Sequence, residues 1–99
     1  MTLHWTEKAS ADALSIHGFI VERSEGYADA VYERILARPQ QLIDQPLSGA
    51  IVPEFGRDDI REVFIHSFRL IYLVLPHEVR ILTVIHGARF LTLDAIDPS

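Results

Sequence analysis

The sequence has no cysteine, and among its 99 residues there is one lysine, one methionine and one tryptophan. Without cysteine there is no disulfide framework, no thiolate nucleophile and no sulfur-based metal site. No apolar run approaches the ~20 residues that a membrane-spanning helix needs. The opening "MTLHWTEKAS" has no basic stretch followed by an apolar one, as a signal peptide would. The expected location is therefore cytoplasmic, with no membrane partner. Cations are scarce: nine Lys and Arg face fourteen Asp and Glu, for a net charge of −5. Phosphate contacts supply most nucleic-acid affinity, so direct sequence-specific nucleic-acid binding is not expected of this chain.

What is present reads as a folded domain. Apolar residues make up 48% of the chain and charged residues 23%, a globular balance. The length fits one domain, residues 1–99. There are no repeats and no low-complexity segments. The only near-neutral stretch is 57–89, with five Arg against Asp58, Asp59, Glu62 and Glu78.

Periodicity orders the elements. Thr2 to Thr6 is rich in β-formers and reads as a strand. Ala9, Ala13, Ile16 and Ile20 then fall on one helical face, predicting a helix over about 7–23 that "SEG" ends. Ala28, Val31, Ile35 and Leu42 continue with helical spacing, and Pro39 predicts a kink or break. Residues 45–56 carry Pro46, Gly49, Pro53 and Gly56 and read as a loop with a brief strand at 50–52. Three β-rich runs follow, at 60–65, 68–75 and 78–85, separated by His66-Ser67 and Pro76-His77. Two-residue breaks between short strands predict an antiparallel meander. The expected fold class is α+β, β-α-α-β-β-β, with a two-helix hairpin packed on a small antiparallel sheet.

One feature departs from simple patterning. A sheet covered on one face alternates apolar and polar residues, but 68–75 and 78–85 are apolar on both faces. Ile71 and Leu73, with Leu82 and Val84 on the next strand, define a second apolar face. Two covers fit it: a partner chain, or the C-terminal tail together with the 45–56 loop.

Charged and titratable residues are few enough to weigh singly. His4, His17, His66, His77 and His86 are scattered, with no HExxH and no ligand spacing, so no metal is expected. Ser67 has no G-x-S-x-G surround, and no glycine pattern indicates a nucleotide cradle. Arg57-Asp58-Asp59 and Arg61-Glu62 read either as solvated surface pairs or as an electrostatic contact. Arg69 interrupts an apolar strand. Either it binds a target, or it bridges across the sheet, with Glu62 as the candidate carboxylate. "TVIHGARF" (83–90) places His86 and Arg89 around Gly87 at a strand end. It reads as the close of the last strand, with Gly87 letting the chain turn away.

Several elements together carry a family resemblance over about residues 3–90. They are Gly49 with Val52-Pro53-Glu54, Arg61-Glu62 opening a strand, "FRLIY" (68–72), "HGAR" (86–89) and the N-terminal "WTEKASADALSIHGFI". Their order and spacing resemble the ParE/RelE superfamily of bacterial type II toxins, often described as plasmid stabilisation proteins. The resemblance implies the β-α-α-β-β-β fold and a cognate, ParD-like or related antitoxin that wraps the toxin. Two activities divide the superfamily. RelE-like members cut mRNA in the ribosome with a cluster of Lys, Arg and often Tyr; ParE-like members poison DNA gyrase and lack it. Here "IREVFIHS" holds Arg61 as its only cation, and no tyrosine follows Arg89. "HGAR" also resembles the ParE-like branch. The reading is a ParE-like, non-catalytic gyrase inhibitor without cofactor. Its expected partner contacts are Arg61, Arg69, Ile71, Leu73, Leu82, Val84, His86, Arg89, Phe90 and Leu91. The alternative is a RelE-like endoribonuclease, for which the candidate catalytic residues are Arg61, Arg69, His86 and Arg89.

Overall fold

The structure is a computed structural model that describes residues 1–92, 94 and 96. Strand β1 (Thr2–Trp5) leads into helices α1 (Glu7–Val21) and α2 (Glu25–Ala37), then a short 3-10 helix (Arg38–Leu42). Strands β2 (Ala50–Ile51), β3 (Ile60–Ile65), β4 (Phe68–Val74) and β5 (Glu78–His86) follow. The β-α-α-β-β-β order expected from periodicity is what is observed, with the brief strand at 50–51 ahead of the meander.

Local chemistry sets the boundaries. Thr6 caps α1 by accepting from the Ala9 N–H at 3.1 Å, and its hydroxyl also donates to the Ile81 carbonyl at 2.8 Å. One side chain thus starts a helix and ties it to β5. Ser24 caps α2 through the Tyr27 N–H. Pro39 converts α2 into a 3-10 turn rather than ending it outright, because proline still fits the first turn of a new helical segment.

The five strands order as β1-β5-β4-β3-β2. The meander β2 to β5 is antiparallel throughout. The sheet as a whole is mixed, however, because β1 pairs with β5 in parallel. The two helices carry the chain from β1 at one edge to β2 at the other. β1 is therefore not hairpin-linked to its neighbour and is free to run parallel.

Both sheet faces are covered by this chain. On one, Ala9, Ala13, Ile20, Ala28, Val31 and Ile35 of the helices pack against Val63, Leu70, Tyr72, Val79, Ile81 and Val84. On the other, Ile60, Ile71, Leu73, Leu82 and Ile85 are closed over by Val52 and Phe55 of the loop and by Leu91 and Ile96 of the tail. Of the two covers that fit the second face, the loop and tail are the ones in place. Ile71, Leu73, Leu82 and Val84 are therefore buried within the chain, none more than 6% exposed.

Val84 also belongs to the helix-side cluster and not beside Leu82. Tyr72 is paired with Ile81 and Ile71 with Thr83, so Leu82 is the extra residue of a β-bulge. A one-residue insertion switches the alternation, which strict two-residue periodicity from Arg80 to His86 does not anticipate.

Candidate functional site

Arg69 lies on the second face, near the turn between β3 and β4. It points to that side with Ile71 and Leu73, two and four residues along β4. Glu62, diagonal to it on β3, accepts from Nε at 2.6 Å. Glu54, in the turn after β2, accepts from Nη1 at 2.8 Å and Nη2 at 2.9 Å. That turn closes with the Phe55 and Gly56 N–H groups on the Val52 carbonyl, and Gly56 adopts φ +62°, a conformation suited to glycine. All three side chains are at most 9% exposed. The expectation of a bridge to Glu62 is correct, and Glu54 makes the pair a triad.

The same triad holds the start of the tail. The Leu91 N–H donates to Glu54 Oε2 at 3.0 Å, and Arg69 Nη1 also reaches the Arg89 carbonyl at 3.3 Å. The Arg69 guanidinium and the Leu91 N–H hold the Glu54 pKa down at about 2 from an ordinary 4.5, against the opposing effect of burial. The two carboxylates raise that of Arg69. One guanidinium between two carboxylates is formally −1, so this cluster offers no free cation to a phosphate.

Arg61 is also committed to internal contacts. Its Nε donates to the Asp58 carbonyl at 2.9 Å, and Nη1 to the carbonyls of Leu47 and Gly49 at 3.2 and 3.0 Å. Beside it, Tyr72 donates to the Pro46 carbonyl at 2.8 Å and accepts from the Gly49 N–H at 3.0 Å. Together they fasten the chain where it crosses from the helices to β2. Arg57 pairs with Asp59 on the exposed surface.

His86 and Arg89 are exposed at the end of β5. The Arg89 N–H donates to the His86 carbonyl at 3.0 Å, and the Ala88 N–H to His86 Nδ1 at 3.2 Å, so "HGAR" is a tight turn. Gly87 does not adopt the positive φ expected for a glycine that redirects the chain. Its requirement is space: a Cβ there would sit 3.1 Å from the Ser67 carbonyl and 3.4 Å from the Phe64 ring.

Both residues border a groove of about 400 Å³ between α1 and the end of β5. From α1 come Lys8, Asp12, Ser15, Ile16 and Phe19, one helical stripe. From the sheet come Phe68, Val84 and Ile85. Asp12 accepts from Lys8 at 2.9 Å and from the buried Thr83 hydroxyl, which ties α1 to β5. The groove continues past Phe19, Phe68 and His86 to Arg23 and Tyr27. Phe19 is 64% exposed, with the Arg23 guanidinium 5.3 Å from its ring centroid. His86 stands edge-on to Phe68 at 5.9 Å. Lys8 and Phe19 carry a sequence signal, a second stripe on α1 with Asp12 and Ser15 at spacings of four, three and four beside the buried one; Tyr27, on α2, lies outside that stripe.

Of the expected contact residues, Ile71, Leu73, Leu82 and Leu91 meet in one buried cluster. Val84, His86 and Arg89 line the groove. Phe90 is 75% exposed. Of the four candidates for ribonuclease chemistry, Arg61 and Arg69 are held in separate internal networks; Arg69 reaches Arg89 at its backbone carbonyl, while the His86 and Arg89 side chains border the groove.

The fold, a two-helix hairpin on a five-stranded mixed sheet, is shared with solved toxin–antitoxin systems. The chromosomal ParDE system of P. aeruginosa matches with a TM-score of 0.71 and 25% identity, covering 87% of this chain and 95% of that one. The toxin–antitoxin complex RelBE2 from Mycobacterium tuberculosis matches in fold with a TM-score of 0.55 and 19% identity, covering 86% and 95%. No curated protein matches. A family model described as the ParE toxin of the type II toxin–antitoxin system, parDE, matches residues 3–90. The chain belongs to the ParE toxin family of type II toxin–antitoxin systems.

Proposed function

We propose that this toxin acts by binding and poisoning DNA gyrase, without a catalytic step of its own, and that a cognate antitoxin neutralises it. The observation that carries the reading is the enclosure of Arg69 between Glu54 and Glu62. A guanidinium with both carboxylates in place is not available to a scissile phosphate. Arg61 is spent on backbone carbonyls. Of the four candidates that leaves His86 and Arg89, and an arginine stays protonated and serves poorly as acid or base. The net charge of −5 also supplies little for holding ribosomal RNA. Resemblance to the ParE-like branch supports gyrase as the target.

The antitoxin's seat, in this reading, is the groove along α1. It has an apolar floor of Ile16, Phe68 and Val84, an exposed Phe19 at its wall, and His86 and Arg89 at its rim. The P. aeruginosa ParDE system, similar over most of the chain, supports an antitoxin partner. The surface contacts proposed are His86, Arg89 and Phe90, joined by Phe19 and Tyr27. The buried members of the expected set act by holding the fold.

One arrangement favours a ribonuclease: Lys8, His86 and Arg89 border the same groove. Lys8 is paired with Asp12, which weakens it as a phosphate ligand. Induction in cells separates the readings. DNA double-strand breaks and an SOS response with intact mRNA are expected, together with inhibited supercoiling when purified chain is added to gyrase. Rapid codon-linked mRNA cleavage with unaffected gyrase would overturn the proposal.

A further inference from the structure

The two sheet edges differ in how they are finished. β2 is two residues long and pairs only with Arg61 and Glu62 of the six-residue β3. Among the described residues, Val63 to Ile65 carry β4 on one side and no strand on the other. The Val52 N–H donates to the Ile60 carbonyl, so the backbone polar groups of Ile60 face β2. Alternation along a strand then points those of Glu62 and Phe64 the same way. Gly49 lies beside the Glu62 carbonyl, while the N–H and C=O of Phe64 project past the end of β2. Its ring is 60% exposed. An unpaired edge of this kind is a template for an added strand.

The open edge is flanked by unpaired positive charge. Arg34 and Arg38, one helical turn apart on α2, share a hollow of about 210 Å³ with Phe64, Ile65 and His66. From there the surface continues along the 3-10 helix to Ser48, with Asp44 at its far end. Lys8, Arg57, Arg69 and Arg80 all sit on carboxylates. Among the described residues Arg34 and Arg38 form no ion pair, and Arg38 donates to the neutral Gln41 side chain at 2.7 Å.

We propose that the open edge of β3 is a docking site for an extended, carboxylate-rich segment of a partner protein, which adds as a strand beside Val63 to Ile65. Charge selects this occupant. A second copy pairing edge to edge would bring two Arg34 and Arg38 pairs towards one ladder, and like charges repel. The same charges attract carboxylates. Because side chains alternate across a strand, the segment carries acidic residues at every second position, facing Arg34 and Arg38. Apolar residues between them rest against Phe64.

The test uses the full chain and a fluorescent ten-residue peptide alternating Glu and Val, with a Lys–Val peptide as control. Anisotropy is expected to show the Glu peptide binding at least tenfold more tightly. The surface double variant R34E/R38E, which leaves the core untouched, is expected to reverse that order. Hydrogen exchange at the Phe64 amide is expected to slow on binding. Equal or absent binding of both peptides, an unchanged order in R34E/R38E, or no protection of Phe64 would reduce the two arginines to a guard against self-pairing. A single-stranded RNA decamer that binds where the peptide does not would also overturn the proposal. The groove along α1 is untouched by these variants, so failure here and failure of the antitoxin proposal are read separately.

Discussion

Arg69 and Glu54, fifteen residues apart in the chain, meet through two hydrogen bonds of 2.8 and 2.9 Å with both side chains less than a tenth exposed. This contact joins β4 to the turn after β2, and Glu54 then holds the Leu91 N–H. An arginine that a sequence reading offers as a target contact is thereby the fastener of the second sheet face.

Removing that fastener leaves two buried carboxylates without their cation. R69A is expected to lower stability by about 3–5 kcal/mol, measured by urea unfolding. R69K is expected to recover only part of the loss, because an ammonium cannot form the paired bonds to Glu54 while also reaching Glu62. A near-neutral R69A would mean that water solvates the triad.

The pH dependence has a defined sign. The folded-state pKa of Glu54 is depressed, from 4.5 to about 2. Its contribution to stability is therefore complete above the unfolded value and is lost as pH falls from about 5 towards 2. The amount is up to about 3 kcal/mol. Urea midpoints between pH 6 and 2.5 are expected to fall more steeply for the natural chain than for E54Q. Parallel profiles would remove Glu54 as the titrating group.

Tyr72 and Gly49 form a second fastener, and each is expected to be intolerant of change. Y72F leaves the buried Gly49 N–H without its acceptor, at about 1–3 kcal/mol. G49A would drive a methyl group into the Tyr72 hydroxyl and to 2.6 Å from the Glu62 carbonyl. Because backbone cannot move aside as a side-chain tip can, G49A is expected to be the worse of the two in thermal melting.

Deleting residues 90–99 removes Leu91 and Ile96, which are 1% exposed over the second face. Each such side chain is worth about 1.5–3 kcal/mol of burial. The truncated chain is expected to bind an apolar dye and to unfold at lower urea. Loss of toxicity on truncation therefore counts as loss of a target contact only where the melting temperature is retained.

F19D tests the groove along α1. Phe19 is 64% exposed and lies outside the buried clusters, so folding is expected to be unchanged. Antitoxin affinity, by calorimetry, is expected to fall at least tenfold, the range of an exposed aromatic anchor. Unchanged affinity would move the antitoxin's seat elsewhere.

Much of the fold was legible along the chain. The stripes Ala9-Ala13-Ile20 and Ala28-Val31-Ile35, the strand runs and the two-residue breaks are local patterns, and local patterns follow from backbone geometry. The break at Pro39 was legible for the same reason. Periodicity alone could not show the bulge at Leu82, which moves Val84 to the other face, because a single inserted residue leaves no compositional trace. Nor could it show the parallel pairing of β1, which depends on where the helices deliver the chain. The residue types of the site were visible, Arg69, His86 and Arg89 among them, but their roles were not.

The sequence by itself determined the element order, the two-sided apolar sheet and membership of the toxin superfamily, since each rests on residues near one another in the chain. Tertiary structure decided which charges are free. Arg61 and Arg69 meet carbonyls and carboxylates brought in from up to twenty residues away, while among the described residues Arg34, Arg38 and Arg89 form no ion pair. A charge's availability depends on what surrounds it in space, and spacing along the chain does not encode that.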